Sequence, residues 1–158
     1  MRYYFDLVKH FIVANSRHGT HSPFVYALAD QVIYNKTHFW STEVSFPPSF
    51  FWRYRQLLSA VLSYLDVNEL TLPESSQKSA AVWVDLATVS SAELFQLLQN
   101  GKILIVHEPY KCRSRWKELI ADSRVIVSVD LFHFGIVMRR EGQRKENFRL
   151  RYPYRNDK

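Results

Sequence analysis

The sequence predicts an α/β fold in which N-terminal helices pack on a sheet that ends in an antiparallel hairpin. Apolar residues recur at helical spacing through residues 1–65, whereas after residue 80 short apolar runs of strand length alternate with helical stretches. Toward the end, apolar and polar side chains alternate with the period of a half-buried strand. With 158 residues, 47% hydrophobic and 23% charged, the chain reads as one globular domain. It divides into a helical part at 1–65, a linker at 66–79, and a sheet with a basic tail at 80–158.

In residues 3–14, Tyr4, Leu7, Val8, Phe11 and Ile12 form one stripe of a helix, with Asp6, Lys9 and His10 on its polar face. Ser22 followed by Pro23 supplies an N-cap and a first-turn proline for a second helix over 23–34. Residues 35–49 read as a loop anchored by Phe39, Trp40 and Phe46 and stopped by Pro47-Pro48. A third helix over 50–65 carries Leu57, Leu58, Val61, Leu62 and Leu65 at helical spacing. Residues 68–79, with Pro73 and three serines, are polar enough for a linker.

Residues 81–85 form a buried strand ending at Asp85. Ser90 or Ser91 caps a helix through Leu98, which Asn100-Gly101 stops. Residues 102–106 make a second buried strand leading to His107, Glu108 and Pro109, followed by a helix over 113–121. The first two strands should be parallel. Strands over 124–130 and 135–140 pair about a turn at 131–134, and 147–152 is an edge strand with a basic outer face.

Composition narrows the function. The chain has four glycines, Gly19, Gly101, Gly135 and Gly142, where roughly 11 would be usual. They stand far apart, so no glycine-rich phosphate loop can be written from them. The single cysteine, Cys112, excludes an internal disulfide and a multi-cysteine zinc site. Charged residues interrupt the first 15 positions and the longest apolar run, 24–29, is too short to span a bilayer, so the expected location is the cytoplasm, without a membrane. The net charge of +6 gathers at the end, where residues 139–158 hold eight lysines and arginines against three acids.

Two stretches carry a family resemblance. Ser16-Arg17-His18-Gly19-Thr20-His21-Ser22-Pro23-Phe24-Val25-Tyr26 resembles the R-H-G-x-H-S-P-F-V-[FY] signature of a bacterial class I S-adenosylmethionine-dependent methyltransferase-like family. Residues 116–152, especially Val127-Ser128-Val129-Asp130-Leu131-Phe132 and Lys145-Glu146-Asn147-Phe148-Arg149-Leu150-Arg151-Tyr152, are similar to its closing hairpin and tail. The resemblance implies a partial Rossmann-like sheet, with residues 82–85 and 102–108 in place of the family's fourth and fifth strands. It also implies S-adenosylmethionine as cofactor. The family's first three strands, glycine-rich loop and ribose-binding acid have no counterpart, and the family's D-D-I-H type segment is replaced by His107-Glu108-Pro109-Tyr110.

Candidate chemistry is sparse. His18 and His21, three apart before a helix start, have the spacing to share a metal or an anion, or else fix the join between two helices. With no third ligand nearby, no metal is expected. Asp85, His107 and Glu108 fall at strand carboxyl ends, where open α/β sheets bind ligands, and are either an acid/base or metal constellation or strand-end capping residues. Cys112 lies between Lys111 and Arg113, which favours a thiolate, although a lone cysteine also serves as a small apolar side chain. Arg139, Arg140, Arg144, Lys145, Arg149, Arg151 and Arg155, with Phe148, Tyr152 and Tyr154, suit single-stranded nucleic acid or a solvated edge strand.

The expected function is that of a reduced methyltransferase-like protein without catalytic activity, acting by protein or small-ligand binding. A homodimer would cover a sheet edge left bare by missing strands. The alternatives are an active methyltransferase with an atypical cofactor site using Asp85 and Glu108, and a basic RNA-associated protein.

Overall fold

Strands form where apolar and β-branched side chains run unbroken. β2 (Ala81–Val84), β3 (Ile103–His107), β4 (Val127–Asp130) and β5 (Phe134–Met138) are almost wholly buried. The computed structural model describes residues 1–16, 20–37, 44–48 and 50–154. Short strands β1 (Leu70–Thr71) and β6 (Glu146–Arg149) complete a six-stranded sheet of order β1-β2-β3-β5-β4-β6. β1, β2 and β3 are parallel, β5 runs against both of its neighbours, and β4 and β6 are parallel. The fold is therefore α/β, with the mixed sheet and closing hairpin of a partial Rossmann-like architecture.

Alternation along the strands sorts the core into two layers. Ala81, Ile105, Val129 and Ile136 face α2 (Pro23–Leu28) and α3 (Arg55–Tyr64). Val82, Val84, Leu104, Val106 and Val137 face α4 (Ser91–Gln99) and α5 (Arg113–Ala121). Caps fall where the sequence places them. Val25 N–H donates to Ser22 Oγ at 3.3 Å, Glu93 N–H donates to Ser90 Oγ at 3.2 Å, and Gly101 turns the chain after α4 at φ +75°.

Three segments depart from expectation. The second helix passes into a π-helical turn, Ala29–Ile33, instead of running on as α-helix to residue 34. α3 begins at Arg55 and not at residue 50, because Phe50 is held in the core against Phe46 and Trp83 while Trp52 rests on Trp83 and His107. The stretch 66–79 is structured: it supplies β1, with Leu70 and Thr71 buried, and a 3-10 turn, Pro73–Lys78.

Both sheet edges are covered by the chain itself, so a bare edge gives no reason for a second copy. Beside β1, Leu70 N–H donates to the Ser45 carbonyl and Ser45 N–H to that of Asn68, each at 2.8 Å. Beside β6, Asn15 N–H donates to the Arg149 carbonyl at 2.8 Å and Arg151 N–H to that of Asn15 at 3.1 Å.

α1 (Arg2–Val13) lies the opposite way round from an ordinary amphipathic helix. Tyr4 and Ile12 are 71% and 70% exposed, whereas Asp6 is 6% exposed. The polar stripe Tyr3, Asp6 and His10 turns inward because it finds partners there: Phe132 for Tyr3, Arg113 for Asp6 and Asp130 for His10. Among the described residues no helix is long and apolar enough to cross a membrane.

Candidate functional site

The carboxyl ends of β2, β3 and β4 form one edge, and the chain turns sharply there. Glu108 follows β3 at φ +37°, a left-handed conformation that costs a residue with a Cβ. Pro109 then starts a 3-10 turn, Pro109–Cys112, that leads into α5. This turn sets the Glu108 carboxylate beside the preceding ring, with His107 Nε2 3.3 Å from Glu108 Oε2. The other ring nitrogen, Nδ1, is 2.7 Å from the Tyr54 hydroxyl, which in turn accepts from the Trp83 indole N–H at 3.1 Å.

The Trp52 ring covers His107 with 4.1 Å between centroids, Lys111 pairs with Glu108, and the Tyr110 hydroxyl donates to Glu108 Oε1 at 3.3 Å. Burial pushes His107 below the usual imidazole range, against the opposing pull of Glu108 and Asp85. Burial would raise Glu108, but Lys111 and His107 outweigh it and hold the carboxylate below its ordinary value. Burial pushes the Tyr54 phenol upward.

The result is a phenol, an imidazole and a carboxylate in series, each engaged by its neighbour. Tyr54 and His107 are 1% and 7% exposed, so the cluster anchors α3 to β3 more than it presents a reactive atom.

The structure thus joins His107 to Glu108 but not to Asp85. Asp85 Oδ1 accepts from Ala87 N–H at 2.8 Å and its carbonyl from Val89 N–H at 3.0 Å, which makes it the cap of the turn after β2. His21 is exposed, and His18 lies outside the described residues. Among the described residues no three histidines, cysteines or acids converge as a metal site requires. Cys112 is half-buried at the start of α5, against the core layer of that helix. Its flanking cations are spent, Lys111 on Glu108 and Arg113 on Asp6.

The basic tail is largely tied to its own chain. Lys145 Nζ donates to the carbonyls of Asp122 and Val125 at 2.7 and 2.6 Å, and Arg149 lies 3.6 Å from Asp130. Arg140 stacks 4.0 Å over Phe24 and Arg151 4.5 Å over Phe11, while Tyr152 and Tyr154 pack on His133. Phe148 is half-buried against the core, Arg139 and Arg144 are exposed, and Arg155 is outside the described residues.

Next to this edge is a cavity of about 260 Å³ between α1, α5 and the β4–β5 turn. Asp130, the last residue of β4, accepts from Phe132 N–H at 2.9 Å, meets His10 Nε2 at 3.2 Å and faces Arg149. Asp6 holds Arg113 and lies 4.0 Å from Arg2. Phe132, at φ +70°, stacks on Tyr110 with 4.2 Å between centroids and 5° between planes, so Tyr110 belongs to both the cluster and the cavity.

Sequence reasoning missed Asp6, His10 and Asp130 as site residues. Asp130 ends a strand just as Asp85 does, and Tyr3, Asp6 and His10 repeat at helical spacing, so both signals were present without a partner to give them meaning. Comparisons of the chain with protein-family models, with curated proteins and with solved structures return no match.

Proposed function

We propose that the chain is a reduced methyltransferase-like protein that works by binding and not by catalysis, holding a small ligand at the carboxyl edge of its sheet. The observation that carries the proposal is the connection after β1. In a Rossmann-type site the first strand leads through glycines to a helix N-terminus that meets the cofactor. Here residues 72–80 contain no glycine, fold as the 3-10 turn Pro73–Lys78 and run directly into β2.

The side chains on which methyl transfer would rely also support a binding role. Asp85 is committed to Ala87, and Glu108 to Lys111 and His107. The outward apolar face of α1 provides for a protein partner, a second copy of the chain included.

Titration with S-adenosylmethionine and with its demethylated product tests the proposal. The expected result is no saturable rise in melting temperature at concentrations far above a typical cofactor Kd, since a ligand of the folded state must stabilise it. A saturable rise with either compound overturns the proposal in favour of a methyltransferase.

A further inference from the structure

We infer that the cavity beneath α1 binds a small ring-bearing anion, a carboxylate or phosphate monoester carried on a flat apolar body. The inference rests on the binding role proposed above and adds the chemistry of the ligand. Trp116, Phe132, Val13 and Ile120 are among the residues that line the cavity, an apolar share that suits a ring.

Charge decides the rest. Four cations line the cavity, Lys9, Arg113, Lys117 and Arg149, against the two carboxylates Asp6 and Asp130. Each carboxylate already holds an arginine, Asp6 with Arg113 and Asp130 with Arg149. Asp130 also receives Phe132 N–H and lies within hydrogen-bond distance of His10, so the acids do not repel an incoming anion as free carboxylates would.

Lys9 and Lys117 remain, one from α1 and one from α5, and among the described residues neither has a hydrogen-bond or ion-pair partner. Lys9 and Lys117, lining the same cavity as Trp116 and Phe132, supply the positive charge for one anionic head. A volume of about 260 Å³ admits one ring with its head group and not a dinucleotide.

The test uses the full chain and three probes of similar body: phenyl phosphate, benzoate and phenol. Binding is followed by NMR at the assigned Trp116 indole N–H. Saturable shifts are expected for at least one anion, with a Kd about tenfold below that of phenol, a difference that one charge-assisted contact supplies. The two anions together show which head group the lysines prefer.

The double variant Lys9→Gln/Lys117→Gln should raise that Kd about tenfold, as the loss of such contacts requires, while Lys78→Gln on the 3-10 turn leaves it unchanged. Both lysines are exposed, and unchanged amide signals from β2 to β5 report that the variant keeps its fold. Phenol binding as tightly as the anions, binding insensitive to the double variant, or no shift at Trp116 with any probe each overturns the inference. The first two outcomes leave the binding role standing, and that role fails on its own account if S-adenosylmethionine raises the melting temperature.

Discussion

At Gly135 a Cβ would lie 2.6 Å from Trp116 Cη2 and 2.9 Å from Cζ3, closer than real Cβ contacts come. The indole of Trp116, on α5, packs directly against Gly135 of β5, so the missing side chain is part of the packing. Gly135→Ala is expected to lower stability by about 1–3 kcal/mol, the usual cost of overpacking, read as a fall in the urea midpoint at unchanged m value.

A second residue sets a pH dependence. His133 is buried, its Nε2 lies 2.8 Å from the Tyr154 hydroxyl, and burial together with Arg53 pushes its pKa down to about 4. An unfolded histidine titrates near 6.5, so between these values the unfolded chain binds a proton that the native one refuses. Stability is therefore complete above the unfolded value and declines as pH falls from about 6.5 to 4, by on the order of 3 kcal/mol at this group. Urea unfolding at pH 7 and pH 4.5 should show a shallower decline in His133→Gln than in the native sequence. Equal declines in the two proteins would count against the assignment.

Among the elements, α1 separates two properties that usually travel together. Its apolar stripe is exposed while Asp6 and His10 hold it to Arg113 and Asp130, so its outward side chains contribute little to folding. Phe5→Glu and Ile12→Glu should each change stability by less than about 0.5 kcal/mol. Leu58→Ala, in the fully buried face of α3, should cost about 2–5 kcal/mol in the same urea titration. If the α1 face meets a second copy, Ile12→Glu shifts sedimentation toward the monomer with no loss of fold. A native protein that sediments as a monomer at every concentration removes the second copy as the partner.

For the whole molecule, local pattern and global arrangement parted at definite places. The strands at 81–84, 103–107, 127–130 and 134–138, and the helices with their Ser22 and Ser90 caps, were legible because period and capping chemistry act over a few neighbours. The stretch 66–79 was not, since Leu70 and Thr71 make a strand only where β2 offers a parallel edge and Ser45 closes the other side. His107 and Glu108 were legible as a strand end, whereas Tyr54, 53 residues upstream of His107, entered the cluster through packing alone.

By itself, then, the sequence determined the fold class, the order of the main elements and the lack of a glycine-rich loop, all properties of residue type and short-range spacing. Tertiary structure decided which face of α1 turns inward, which acids are caps and which lysines are left unpaired, because those depend on side chains that meet only when distant segments pack.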